Sequence, residues 1–253
     1  MHKAIRYLAP LAVAAAPMLL VPGMAAADGG GNSFQTTLNP LNGSQGSGTA
    51  TVTLNGSSAD ISVNWQGLPA QFMNGPYPHV QHIHISGGGQ CPTTSADKNG
   101  DGVISTTEGQ PAYGPIGTTL SEKGDTSPKA GTDIKIAPGG GSTNYHRTIQ
   151  LDSSSLSSVK AGKGVIVVHG LDPATLSKKA QGEKSDLVPS LPLAATSPAL
   201  CGTLSSMPSG GVATGTGSTA GVEDAGLLGL GGALVVAGGI AVYAVRRRTT
   251  VKA

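Results

Sequence analysis

The feature that most constrains the fold is a pair of alternating segments in the first third of the chain. Residues 49–55 and 60–65 place an apolar side chain at every second position, a period typical of strands with one buried face. The Asn-Gly-Ser-Ser segment at residues 55–58 has the chemistry of a turn, so the two runs predict a β-hairpin. Further strands are expected at residues 80–85, 134–137, 147–151 and 164–169.

Composition supports an all-β fold. The chain has 39 Gly and 17 Pro, and aromatic residues make up only 3% of it, which argues against a large helical enzyme with a thick aromatic core. No amphipathic helical pattern of about 12 residues interrupts the predicted strands. We therefore predict an antiparallel β-sandwich or Greek-key barrel.

The amino-terminal residues 1–27 have the pattern of an export signal. Lys3 and Arg6 precede an apolar stretch at residues 8–21, and three alanines at 25–27 offer a peptidase the small residues it needs. Asp28 is then the expected mature start. The alternative is a first transmembrane helix, which the two prolines within the apolar stretch disfavour.

The carboxyl-terminal segment predicts a membrane anchor. Residues 225–245 carry no charge and match the length of about 20 residues that spans a bilayer. The basic tail, residues 246–253, should stay in the cytoplasm and leave the preceding domain outside the cell. Residues 205–224 are rich in Gly, Ser and Thr and predict a flexible tether. The alternative is a cell-wall sorting signal, for which residues 212–215 are a loose substitute for the usual Leu-Pro-x-Thr-Gly.

Charge excludes one class of partner. The six basic residues near the two ends leave ten basic and fourteen acidic residues between them, a net charge of −4. A nucleic-acid-binding protein needs a concentrated basic face, so no nucleic-acid partner is expected. The expected partners are the membrane and an extracellular protein or cell-wall ligand that contacts the domain at residues 28–204.

Two cysteines, Cys91 and Cys201, lie within this predicted exported domain. In an oxidising compartment, a disulfide between them is the natural inference, with two free thiols as the alternative. Closing so long a loop would stabilise the fold by roughly 4 kcal/mol in the chain-entropy model.

Residues 97–108, Asp-Lys-Asn-Gly-Asp-Gly-Val-Ile-Ser-Thr-Thr-Glu, match the twelve-residue EF-hand calcium loop, including its glycine at Gly102. The expected calcium ligands are the side chains of Asp97, Asn99, Asp101 and Glu108, the carbonyl of Val103, and Ser105 through water. The prolines on either side exclude long flanking helices, so we expect a structural clamp and not a signalling switch. An acidic surface turn without a metal is the alternative.

Five histidines lie in the domain. His82 and His84 alternate on one predicted strand, so their rings point to the same face, and His169 ends the apolar run at residues 165–168. Because imidazole is a good ligand for copper and zinc, these three predict a metal site, with His79 and His146 as further candidates. The alternative is that the histidines only hydrogen-bond loops.

Several short motifs occur in an order that resembles a known family: Gln81-His82-Ile83-His84, then Cys91, Val167-Val168-His169-Gly170 and Ala199-Leu200-Cys201-Gly202. This order is similar to copper/zinc superoxide dismutases and more similar still to CHRD (chordin-type) domain proteins. The resemblance covers about residues 33–204 and implies a superoxide-dismutase-like sandwich.

The sequence departs from a dismutase in ways that bear on activity. No histidine lies between His84 and His146, where the bridging ligand is expected, the zinc ligand cluster is missing, and residues 194–200 lack the arginine that attracts the anionic substrate. We therefore interpret the chain as an anchored, non-enzymatic surface or binding module. The alternatives are a copper-binding redox protein with dismutase-like chemistry and a calcium-dependent adhesin.

Overall fold

Antiparallel strands make up most of the regular secondary structure. The computed structural model describes residues 32–72 and 74–208. Its strands are β1 (Ser33–Pro40), β2 (Ser47–Asn55), β3 (Ser58–Gln66), β4 (Gln71–Phe72), β5 (Gly75–Pro76), β6 (Gln81–His84), β7 (Ile116–Thr119), β8 (Ser142–Gln150), β9 (Val165–His169), β10 (Pro198–Thr203) and β11 (Ser205–Ser206).

Nine of these strands form one antiparallel sheet that curls into a half-barrel. The order across the sheet is β7-β6-β9-β10-β1-β2-β3-β8, with β11 also paired to β1, while β4 and β5 pair with each other. The apolar core lies against this sheet and includes Phe34, Ile61, Ile83, Ile166 and Leu200. The prediction of a mainly antiparallel β fold is confirmed.

The predicted hairpin is present as β2 and β3. Their register pairs Asn55 with Ser58 across a two-residue turn, and Gly56 adopts φ 64° there, a left-handed conformation that favours glycine. The alternating apolar residues are buried, and they are Val52, Leu54, Ile61, Val63 and Trp65. The segments predicted around residues 80–85, 147–151 and 164–169 are also confirmed, as β6, part of β8 and β9.

The strand predicted at residues 134–137 is wrong. These residues form turns, and Ile134 is exposed. The Asp133 carboxylate accepts a hydrogen bond from the backbone N–H of Lys135 at 3.0 Å, a local bond that competes with strand pairing. The run is also short, and Pro138 follows it at once, so the chain gains little from extending there.

The helices are short and lie between strands. They are α1 (Thr106–Tyr113), α2 (Ser153–Lys160), α3 (Lys178–Gly182) and α4 (Leu193–Thr196), with 3₁₀ turns at Thr94–Ala96, Pro128–Ala130 and Pro173–Thr175. Helix α1 starts directly after Ser105, whose hydroxyl accepts from the Glu108 N–H while the Glu108 carboxylate accepts from the Ser105 N–H. This capping box fixes the start of α1 at the end of the predicted calcium loop.

The predicted disulfide is confirmed. Cys91 and Cys201 are bonded, with their Cα atoms 5.8 Å apart. Cys201 lies in β10 and is fully buried beside Val165 and Val167 of the neighbouring strand β9. The bond therefore joins the loop that leads to residues 97–108 to the centre of the sheet.

The sheet continues past Leu204, because β11 pairs with β1 and the Met207 N–H donates to the Ser33 carbonyl. The folded part thus includes the first residues of the segment predicted as a tether. None of the helices formed by residues 32–72 and 74–208 has the length and apolar character needed to cross a bilayer. The predicted signal peptide, transmembrane helix and basic tail lie outside the described residues.

Candidate metal centre

Three of the predicted histidines come together on two adjacent strands. His82 and His84 lie on β6 and His169 ends β9, and the antiparallel register places His82 opposite Val167. The apolar run Val165–Val168 is fully buried, which holds β9 at the centre of the sheet and brings His169 to the rings on β6.

The three rings form a tight, buried cluster. One ring nitrogen of each histidine lies within 4.8 Å of a ring nitrogen of the other two. Ring centroids are 5.2 Å apart for His82 and His169 and 5.4 Å apart for His82 and His84. The three residues expose only 2%, 2% and 3% of their surface, so water cannot replace a missing ligand or partner easily.

Backbone carbonyls fix the tautomer of each ring. Nε2 of His82 donates to the Gly131 carbonyl at 2.9 Å, and Nδ1 of His84 donates to the Gly114 carbonyl at 2.8 Å. Nδ1 of His169 donates to the Thr196 carbonyl at 2.7 Å. Because a carbonyl oxygen only accepts, each of these nitrogens must carry the proton, and the second ring nitrogen keeps a free lone pair.

Those second nitrogens have no hydrogen-bond partner. Nδ1 of His82, Nε2 of His84 and Nε2 of His169 are buried and unpaired within the described part of the chain. A buried acceptor without a partner costs free energy. A metal-binding histidine commonly donates its other N–H to a carbonyl in this way, so three orphaned lone pairs fit a bound cation.

Burial also keeps the rings neutral. Desolvation, together with the nearby rings of His169 and His84, lowers the pKa of His82 well below its usual value. Desolvation and the His169 ring lower the pKa of His84 to about 3. Desolvation lowers the pKa of His169 to about 4, against an opposing hydrogen bond to Thr196 and the negative charge of Asp186. The metal-binding form of imidazole, the neutral one, is therefore present at ordinary pH.

The other two candidate histidines do not join this cluster. His79 is fully buried, with Nδ1 2.8 Å from the His169 carbonyl oxygen and Nε2 2.9 Å from the Pro69 carbonyl oxygen, so both its nitrogens are occupied. His146 lies on β8, exposes 62% of its side chain and contacts Ser62 and Asp60. Three histidines among the described residues are therefore the candidate metal ligands.

The predicted calcium loop places its acidic side chains against its own backbone. The two Asp97 oxygens accept from the N–H groups of Gly100 and Gly102, and Asp101 accepts from the Val103 N–H. Glu108 reaches back to the N–H of Lys98 at 2.8 Å and also accepts from Ser105. Another predicted ligand, Asn99, accepts from the Asp101 N–H through its side-chain oxygen. In the described part of the chain, Asp97, Asp101 and Glu108 do not form a group whose carboxylate oxygens all lie within 4.8 Å of one another.

The residues that orient the histidines were not predicted. Gly131, Gly114 and Thr196 act through their backbone carbonyls, which every residue carries, so no sequence pattern marks them. Gly114 ends α1, where its N–H donates to the Gln110 carbonyl. Thr196 ends α4, and its carbonyl also accepts from the Thr106 hydroxyl at 2.6 Å.

The arrangement can bind a cation through three neutral nitrogens. No family model matches the chain, and no curated protein matches it either.

Proposed function

We propose that this protein is a transition-metal-binding module whose centre is formed by His82, His84 and His169. The observation that carries the proposal is the set of three buried, unpaired ring nitrogens, each on a ring whose other nitrogen donates to a backbone carbonyl. A neutral three-imidazole set suits copper or zinc better than calcium or magnesium, which prefer oxygen ligands. When bound, copper would supply electron transfer and zinc a Lewis acid.

The order of the elements supports the proposed relation to the superoxide-dismutase-like sandwich and to CHRD proteins. The His-x-His strand β6 neighbours the Val-Val-His strand β9, and β9 neighbours β10, which holds Cys201. An exported, membrane-anchored module is consistent with that disulfide, because disulfides persist in oxidising compartments. Metal binding, without an assigned reaction, is the function that these features support best.

Metal titration tests this function. The full chain, stripped of metal and titrated with Zn²⁺ or Cu²⁺ against a coloured competing chelator, is expected to retain one ion per chain. His169→Gln should lower the affinity by more than tenfold, since even the loss of an outer-shell partner commonly costs 10- to 100-fold.

His146→Gln is the matched control, because this histidine is exposed and lies away from the cluster. It should leave affinity and stoichiometry unchanged. Equal binding by His169→Gln, His84→Gln and the unaltered chain would refute the proposed centre. Emission from Trp65, the only tryptophan and a buried one, verifies that each variant is folded.

We also propose that residues 97–108 bind one calcium ion as a structural clamp. A hydrogen bond with Asp101 raises the pKa of the nearby Glu183 carboxyl, as expected where acidic groups lie close together. A calcium ion would offset this crowding. The Ser177 hydroxyl, at the start of α3, donates to the Asp101 carbonyl at 2.7 Å, so a calcium clamp in the loop would also stabilise this distant segment.

Glu108→Gln is expected to weaken calcium binding because it removes the charge of the ligand that closes the loop. Calcium at 100 times its Kd should raise the free energy of unfolding of the unaltered chain by about 2.7 kcal/mol. Most of this gain should be missing in the variant. The measurement is denaturant unfolding followed by Trp65 emission, with calcium and with a calcium chelator.

Glutamine can still complete a capping box, so in chelator the variant should lose little stability. Glu122→Gln removes the same charge at an exposed position outside the loop and should preserve the calcium response. An equal loss of stability by Glu108→Gln with and without calcium would contradict the clamp.

A further inference from the structure

A cavity with mainly apolar walls lies beside the histidine cluster. Its volume is about 510 Å³, within the range of about 300 to 1,000 Å³ that is typical of small-molecule sites. Its lining comes from separate elements, with Val80 just before β6, Ile116 at the start of β7 and Leu191 shortly before α4. The fold therefore assembles a space large enough for an organic molecule.

The histidine nitrogens are closed to this cavity. His82, His84 and His169 line it, but the unpaired nitrogen of each ring is buried with virtually no accessible surface. The other nitrogen of each ring is occupied by a backbone carbonyl. A molecule in the cavity therefore contacts none of these nitrogens, and a metal ion held between them would be separated from it.

The buried hydroxyl groups of the wall are also occupied. The Tyr77 hydroxyl donates to the Leu171 carbonyl at 3.0 Å, and the Tyr113 hydroxyl donates to the Thr106 carbonyl at 2.7 Å. The Thr106 hydroxyl in turn donates to the Thr196 carbonyl. A polar group carried deep into the cavity would lose its water without gaining a partner, so the deep part suits a hydrocarbon.

The aromatic rings of the wall already pack against other rings. Phe72 and Tyr77 are stacked with ring centroids 4.7 Å apart, and Tyr113 meets the His84 ring edge-on at 4.5 Å. The other large apolar side chains of the wall are aliphatic, among them Val80, Ile116, Val188 and Leu191. A flexible alkyl chain can follow such a lining and make many dispersion contacts with it.

The mouth of the cavity differs from its interior. Ile134 and Leu187 expose 52% and 45% of their surface at the rim, and they are the two large exposed apolar side chains in the described part of the chain. Exposed apolar residues that converge on one opening are typical of a ligand-binding surface. Gln110, Thr132 and Ser190 also line the cavity and are exposed, so a polar end group can stay hydrated there.

We infer that the cavity binds the alkyl chain of a single-chain amphiphile, with the chain against the apolar walls and the polar end at the mouth. This site goes beyond the proposed metal binding and does not rest on it, because the ligand and the histidine nitrogens are not in contact. The protein then has a second ligand site beside the metal centre.

Calorimetric titration of the full chain with 1-hexanol, 1-heptanol and 1-octanol tests the inference. Each added methylene should tighten binding by about three- to fourfold, because it adds buried apolar surface. The diol 1,8-octanediol should bind about fivefold more weakly than 1-octanol or worse, since its second hydroxyl enters the cavity without a partner. Zinc-loaded and metal-free protein should bind 1-octanol equally, because the histidine nitrogens are closed to the cavity.

Two pairs of variants locate the site. Ala195 lines the cavity, so Ala195→Leu fills part of it and should weaken 1-octanol binding about tenfold, whereas Ala161→Leu makes the same change at an exposed position after α2. Ile134→Asp places a charge at the apolar rim and should weaken binding about fivefold, whereas Ser154→Asp introduces the same group on the exposed surface of α2. Both controls should bind as the unaltered chain does, which separates the cavity from nonspecific partitioning.

The inference is overturned if 1-octanol and 1,8-octanediol bind equally tightly, or if Ala195→Leu and Ile134→Asp both bind 1-octanol as the unaltered chain does. Trp65 emission verifies folding, and if Ala195→Leu does not fold, Ile134→Asp decides alone, because its site is exposed. Failure here is distinguishable from failure of the metal centre. Zinc retained without alkanol binding overturns the cavity ligand alone, whereas alkanol binding without zinc retention overturns the metal centre alone.

Discussion

Lowering the pH of the metal-free protein from about 7 to about 4.5 is expected to reduce its free energy of unfolding by several kcal/mol. Burial lowers the pKa of His82, of His84 to about 3 and of His169 to about 4. In the unfolded chain, a histidine has its ordinary pKa of about 6.5. The measurement is denaturant unfolding across this pH range, with a chelator that removes transition metals.

The sign follows from proton uptake. Below about pH 6.5 the unfolded chain binds protons at these histidines, whereas the folded chain does not until the pH approaches 4 or below, so acid favours unfolding. Each histidine contributes at most about 1.4 kcal/mol per pH unit, and the three together about 4 kcal/mol per unit at the steepest point. His79, whose pKa burial also lowers, adds to this loss.

Substitution of one histidine measures the contribution of the cluster to the pH dependence of stability. His84→Gln should reduce the slope of stability against pH by up to about 1.4 kcal/mol per unit. If stability between about pH 6 and 4.5 were independent of pH, the neutral state of the cluster would be wrong.

Strands with clear alternation, and the continuous apolar run of β9, could be predicted from the sequence, whereas several strands with weaker patterns could not. The alternation at residues 49–65 gave β2 and β3 because each has one buried and one exposed face. Strands β1, β7 and β10 were not predicted, since in β10 all residues except Thr203 are buried and alternation disappears when both faces are covered. Helix α2 was also missed, because Ser-rich residues 153–160 carry little apolar periodicity.

The candidate metal site could also be predicted only in part. The spacing of His82 and His84 and the position of His169 after an apolar run were enough to predict the ligands, because side-chain chemistry is specific to residue type. The carbonyls of Gly114, Gly131 and Thr196 depend on where loops close in space. The cavity walls come from separate loops, including the turn at Ile134 that the sequence predicted as a strand.

The second large expected effect is the loss of stability on removal of the disulfide. Cys91 and Cys201 are 110 residues apart in the chain, so their bond removes many conformations from the unfolded state. In the chain-entropy model, a loop of this length stabilises the fold by between about 4 and 5 kcal/mol. The double variant Cys91→Ala with Cys201→Ala is expected to lose this amount in denaturant unfolding followed by Trp65 emission.

The reductant response provides the control for that loss. Unfolding the unaltered chain in the presence of a reductant should lower its stability by a similar amount, because the cross-link is then missing from the unfolded state. The double variant should not respond to the reductant, since it has no other cysteine. If the unaltered chain has the same free energy of unfolding with and without reductant, the cross-link contributes nothing to stability. Because β10, which holds Cys201, pairs with β9, which holds His169, part of any loss should also appear as weaker zinc retention by the double variant.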